Sequence, residues 1–378
     1  MTNKNRKSNS LKMNKTFFKI SRTISVLSIA GLVLSGCAEP KEEEPEAFVY
    51  PSAALTGITY LNESAAPDVL SLPAVSCKID NAPAGRPQLN LNKTDIVFVE
   101  MVEGGLTRLV ATWHSQPVDK VGPVRSVRAM DADIAAPYGG VFCYSGGVPQ
   151  FIALLQQTEM YLADETSQQS VKPNSFSRTT DKPAPHNVVV DMGLLQSQQK
   201  DLGAPNPMFA YAAFLPETQT YEPSTASSGS STKDVTVKYP GATSFWKGDG
   251  EGNLLRDQDN KPHEDGASKD QIKAKNVVVL EVAIDSSNID AKNGVVPRTI
   301  MISGGRAWVF EDGRHIEGTW SKASQTAPIV LLDSTGAPLK LAPGNTWVEL
   351  MPTTSKITIT PGPALPSPTP SPSTSPSP

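Results

Sequence analysis

Short apolar runs separated by turn residues divide this chain. Before residue 200, "VSCKID" and "DIVFVEMV" predict strands, and "TRLVATWHS" continues the second after a Gly-Gly break. In "VGPVRSVRAMDADIAAPYGG", Pro123 suits the first turn of a helix, and Val127, Met130 and Ile134 recur at spacings of three and four. That pattern predicts one short helix over residues 124–137, with Arg125 and Arg128 on a different side from the apolar stripe. A strand "GVFCYSGG", a helix from "PQFIALLQQT", a strand "HNVVVD" and a polar helix near 191–201 follow. Strand and helix alternate, which predicts a mixed α/β domain. After a polar, turn-rich stretch, "VTVKY", "NVVVLEVAI", "RTIMIS", "RAWVFED", "PIVLLD" and "TWVEL" predict a mainly antiparallel β domain. The fold class expected is therefore α+β, with an N-terminal mixed α/β domain followed by a mainly antiparallel β C-terminal domain.

The ends of the chain read differently. Residues 1–23 hold seven Lys or Arg and no acid, and "ISVLSIAGLVL" and "LSGC" follow. That order predicts a lipoprotein signal peptide over 1–36, with Cys37 lipidated and left as the new N-terminus. The apolar run is short for a transmembrane helix. Residues 37–70 read as an acidic, Pro-containing tether, 71–215 as the N-terminal domain, 216–232 as a linker, 233–355 as the C-terminal β domain and 356–378 as a disordered Pro/Ser/Thr tail. The expected location is the extracytoplasmic face of the cell membrane.

Charge narrows the partners. The whole chain carries −4, and losing seven positive charges with the leader leaves −11. A nucleic-acid partner is not expected, because its footprint would be basic. Any anion site has to be local. The four histidines (114, 186, 263, 315) show no metal-ligand spacing, so neither metal nor cofactor is expected. Cys77 and Cys143 both lie in predicted strands; a disulfide and a pair of buried thiols remain alternatives. The acids of "GDGEGNLLRDQDNKPHEDG" lack the EF-hand order and read as a solvated hairpin. Trp308, Trp320 and Trp347 read as core aromatics or as a sugar-stacking platform.

Four polar clusters interrupt the predicted elements. They supply Asp80, Asn81 and Arg86; Glu100, Glu103 and Arg108; Arg125 and Arg128; and Arg178, Lys182, His186 and Asn187. Asp80, Asn81, Arg86, Arg108, Arg125, Arg128, His186 and Asn187 are the candidate ligand-binding set. An arginine fork matches a carboxylate or phosphate-like group, and a cation at a helix N-terminus is out of place unless an anion accompanies it. Asp131, three residues beyond Arg128, offers a purely structural partner along the helix. Glu100 and Glu103 are the alternative, catalytic pair, working with His186 as in a glycosidase. Three-residue spacing in a regular strand puts the two glutamates on opposite faces.

Together "IDNAPAGRPQ", "TDIVFVEMVEGGLTR", "VGPVRSVR", "YSGGVPQ", "APHNVVV", "AKNVVV", "GTWSK" and "LAPGNTWVEL" resemble the YerB-like lipoproteins, a family with paired N- and C-terminal domains of unknown function. Here Cys77 stands where the family more often has an aliphatic residue, and Tyr144-Ser145 where it tends to have His-Ala. The resemblance implies a lipoprotein address and two domains, and no established reaction. The expected function is a membrane-anchored binding or scaffold protein for cell-wall polymer or an envelope partner. The alternative is a cell-wall hydrolase or transferase. A purely structural module would lock all four polar clusters into mutual salt bridges.

Overall fold

Three near-continuous apolar runs decide the architecture. "IVFVEM", "NVVVLEV" and "TWVELMP" have the composition of strands buried on both faces. In the structure, a computed structural model that describes residues 50–290 and 294–363, they form strands Ile96–Met101, Asn276–Val282 and Thr346–Pro352. The last lies between the other two and runs parallel to both, with Trp347 level with Val97 on one side and Val277 on the other. One mixed sheet of 16 strands therefore passes through both halves of the chain.

In the N-terminal half, β1 (Val75–Asp80), β2 (Ile96–Met101) and β3 (Thr107–Trp113) form an antiparallel group in the order β2-β3-β1. A two-residue strand, β4 (Lys120–Val121), comes next. Helix α1 (Asp131–Ala135) then leads into β5 (Val141–Tyr144), and α2 (Pro149–Leu155) into β6 (Tyr161–Asp164). Strands β1, β5 and β6 are neighbours and parallel. Helix α3 (Glu165–Gln168) follows, and β7 (Phe176–Arg178) and β8 (Val188–Asp191) join β4 in a small separate sheet before α4 (Met192–Gln198).

The period of two sorts the core. Val97 and Val99 of β2 join a cluster with Trp113, Val277 and Trp347 on one face, while Ile96 and Phe98 join Val110, Val278 and Val348 on the other. The second cluster also holds Met130, Ile134 and Phe151 of the helical segments. The first holds Val235, Val237 and Trp246 from the strands Ser230–Tyr239 and Ala242–Gly248, so that part of the sheet folds back over β2. Trp308, Trp320 and Trp347 are all buried in these clusters.

The fold is thus mostly strand, which corrects the expected α+β class with its mixed α/β N-terminal domain. Its helices were real but small: the α-helices among the described residues span four to seven residues. One of the two partners of β2 comes from 250 residues downstream in sequence, and a local pattern of apolar residues carries no information about such a partner.

The expected helix over 124–137 also gives way. Only Asp131–Ala135 is α-helical. Upstream, the chain is pulled out straight: Val124 N–H donates to the Val188 carbonyl (2.8 Å), Arg125 N–H to the Lys78 carbonyl (2.8 Å), and Asp80 N–H to the Pro123 carbonyl (2.9 Å). Tertiary pairing across the ends of β1 and β8 wins over a weak local preference. Asp131 does not pair with the Arg128 guanidinium; it accepts the Arg128 backbone N–H (2.7 Å) and the Lys78 ammonium (2.7 Å).

Cys77 and Cys143 are level with one another on β1 and β5 and are joined by a disulfide. A short strand, Thr220–Tyr221, falls inside the stretch read as linker, and Ile357–Pro361 pairs with Ser230–Tyr239 inside the stretch read as tail. Cys37, the leader, the tether up to residue 49 and the tail from 364 lie outside the described residues.

Candidate functional site

The carboxyl ends of β1, β5 and β6 open at one edge of the parallel group, where crevices form in sheets of this kind. Asp80 is the last residue of β1, Ser145 follows β5, and Glu165 follows β6. The extended segment through Arg125 and Ser126 crosses the ends of β1 and β5, tied by Ser145 N–H to the Arg125 carbonyl (3.0 Å) and by the Ser126 hydroxyl to the Ser145 carbonyl (3.0 Å).

Asp80 is the pivot. Its carboxylate is 2 % exposed, yet it accepts the His186 Nδ1–H at 2.5 Å and faces the Arg125 Nε at 3.2 Å. Its second oxygen accepts the Ala82 backbone N–H at 3.1 Å. Gly85 closes over it so tightly that a Cβ there would stand 2.7 Å from the Asp80 Cγ. Because the carboxylate can only accept, His186 carries its proton on Nδ1, and its Nε2 makes no hydrogen bond among the described residues. Arg125 and His186 are each 20 % exposed and form the accessible part of the cluster.

Two more arginines meet beside them. Arg108 Nη1 and Arg128 Nη1 both donate to the Ser126 carbonyl, at 2.8 and 3.2 Å. Arg128 also forks onto Glu103 through Nε (3.1 Å) and Nη2 (2.7 Å). Burial, then the neighbouring charges of Arg128 and Arg125, pull the Arg108 guanidinium down to about 9. Burial pushes the Glu103 carboxyl up, but Arg128 outweighs it and holds Glu103 below its usual range. At the rim, Glu165 accepts from the Ser145 hydroxyl (2.6 Å) and Arg178 (2.8 Å), and Arg178 also reaches Asn187 (2.9 Å).

Asp80, Arg108, Arg125, Arg128, Glu103 and His186 therefore converge, with Asn187 on the rim. Arg86 does not join them; it pairs with Asp259 at 2.8 Å. Asn81 turns inward, donating to Thr107 (2.8 Å) and Gln258 (3.0 Å). Glu100 is wholly buried and ion-paired with Lys78, which also holds Asp131. Glu100 and Glu103 are thus each held by a different cation. Sequence reasoning missed Glu165 because "YLAD" was not read as a strand. The signal was there: an apolar run ending in Asp164, which caps the next helix through Thr166 and Ser167.

A group of arginines at the carboxyl ends of parallel strands, within one sheet shared by both halves, is the class of arrangement at hand. The chain belongs to the DUF3048 family of proteins of unknown function: the family's N-terminal domain matches residues 55–205 and its C-terminal domain residues 235–348. It is 24% identical over 349 residues to the "Putative lipoprotein YerB" of Bacillus subtilis (strain 168), a match covering 90% of this chain and 98% of that one. The crystal structure of the YerB protein from Bacillus subtilis shares the fold, with a TM-score of 0.66 at 22% identity, over 82% of this chain and 99% of that one.

Proposed function

We propose that this protein is an extracytoplasmic envelope lipoprotein, anchored to the membrane through Cys37. Its arginine cluster binds an anionic group on cell-wall polymer or on an envelope partner. The observation that carries this reading is the convergence of Arg108, Arg125 and Arg128 beside Asp80 and Glu103. The three guanidinium groups stand together in a chain whose overall charge is negative. The name of the Bacillus subtilis relative supports the lipid anchor, and the leader ending in "LSGC" supports it independently. Acidic character elsewhere keeps the rest of the surface from binding anionic polymer indiscriminately.

The test is retention of the mature protein on purified wall fragments, comparing wild type with Arg125→Ala. Arg125 is more exposed than Arg128 and is not needed to hold Glu103. Retention falling at least tenfold, with the melting temperature unchanged, supports the site. Equal retention of both proteins, or none by either, defeats it.

A second reading rests on the Asp80–His186 pair. A buried carboxylate orienting a histidine by its Nδ1–H, with Nε2 unbonded, is the arrangement of a general base. It favours the hydrolase or transferase alternative, with His186 in place of the Glu100/Glu103 pair. Turnover of wall fragments lost in His186→Gln, with binding retained, is its signature.

A further inference from the structure

A second concavity, of about 450 Å³, lies where the two halves meet. One wall is the 83–87 loop of the N-terminal half, and the other is the 258–264 hairpin of the C-terminal half. The walls are fixed to one another before anything binds. Gln258 is bonded to Asn81 (3.0 Å), and His263 to Gln88 (2.7 Å). Just beyond, Asp265 accepts the backbone N–H groups of Asn90 and Asn92 at 3.0 and 2.8 Å.

The lining has two characters. Pro83, Pro87 and Pro262 give rigid apolar surfaces of small area. Around them stand two cations, Arg86 and Lys261, and two carboxylates, Asp259 and Glu264. Arg86 bonds Asp259 through one Nη (2.8 Å), while its Nε is buried with no hydrogen-bond partner. Asp259 is anchored from behind by Thr243 N–H (2.9 Å) and Gln258 (3.0 Å). Burial pushes its carboxyl up, but those bonds and Arg86 outweigh it and keep it ionised.

Charge of both signs decides among ligands. A phosphate-rich ligand would meet Asp259 and Glu264, and an acyl chain would desolvate four charged groups. A saccharide would find no Trp, Tyr or Phe among the lining residues to stack on, and the His263 ring is buried and held between Arg256 and Gln88. A small zwitterion satisfies both signs at once. We propose that this seam pocket binds a short peptide with both termini free and small apolar side chains. Its carboxylate sits between Arg86 and Lys261, its ammonium faces Asp259 and Glu264, and its side chains lie on the proline rings. The volume is in the range of small-molecule sites, which favour such seams. This inference is independent of the arginine cluster.

The test is calorimetric titration of the mature protein with the unblocked dipeptide alanyl-alanine, its N-acetyl form and its C-terminal amide. The wild type should bind the unblocked form saturably and each blocked form at least tenfold more weakly. Lys261→Ala, an exposed substitution that spares the fold, should weaken the unblocked form about tenfold and leave the amide's residual binding unchanged. Arg125→Ala should have no effect on any of them, so failure here and failure of the arginine site are distinguishable. No saturable binding at millimolar dipeptide, equal binding of the blocked forms, or full affinity in Lys261→Ala would overturn it.

Discussion

Asp80 shows how much one residue settles. It ends β1, and its carboxylate holds both exposed members of the cluster, Arg125 and His186. Gly85 exists to let that loop close. In Gly85→Ala the new methyl must displace the Asp80 side chain or the loop, since 2.7 Å to Cγ is inside van der Waals contact. Overpacking of this kind costs about 1–3 kcal/mol, and urea unfolding of the variant should show a loss in that range. Asp95 gives the pH counterpart. Burial raises its carboxyl to about 6, although Ser115 stabilises the anion through its hydroxyl and its N–H. Its folded value lies above the unfolded one, so its stabilising contribution is whole below about pH 4 and is lost as pH rises through 6. Between those limits the wild type should lose about 3 kcal/mol that Asp95→Asn does not lose. Urea midpoints of both proteins at pH 4 and pH 7 check it. A fixed gap at the two pH values would refute this assignment. At this scale the sequence was a good guide to residue choice, because acids and arginines at strand ends and turns are visible in it. It was a poor guide to pairing: Arg86 and Asn81 stand a few residues from Asp80 yet face Asp259, Thr107 and Gln258.

Among the elements, the same strand carries a different device two residues before Asp80. Lys78 sits on β1 between Glu100 of β2 and Asp131 at the start of α1, and all three are fully buried. It fastens the helix to the sheet. Removing it with Lys78→Met leaves two carboxylates buried without their cation, which costs about 3–5 kcal/mol. Replacing all three groups with apolar residues of similar size should restore most of that loss. Thermal unfolding of the single and triple variants measures both. If the triple variant is no better than the single, the lysine contributes packing and not charge. The sequence could not announce this triad. Glu100 occupies an alternating position of a strand that reads as buried on both faces, and nothing local tells a solvated glutamate from a paired one. The helix over 124–137 failed for a related reason: its apolar spacing was real, but Val127 is buried from an extended segment and only Met130 and Ile134 belong to or abut the helix.

The whole molecule depends on the strand Thr346–Pro352, which is wedged between β2 and Asn276–Val282. Two halves sharing a strand cannot unfold in turn. Calorimetry should show one transition, with van't Hoff and calorimetric enthalpies equal. Two resolved transitions would mean that the halves are independent after all. The apolar composition of "TWVELMP" announced a buried strand; its parallel partners, 70 and 250 residues away, did not follow from composition. At this scale the functional claim is also one of contrast: a chain of net negative charge keeps a small arginine-rich site at the ends of three parallel strands. The direct test is the affinity of the mature protein for soluble anionic wall polymer as salt is raised from about 50 to 200 mM, a range over which surface charges become strongly screened. Wild-type affinity should fall steeply over that range, and Arg125→Ala should begin weak and change little. Equal affinities for the two proteins at every salt concentration would contradict the account.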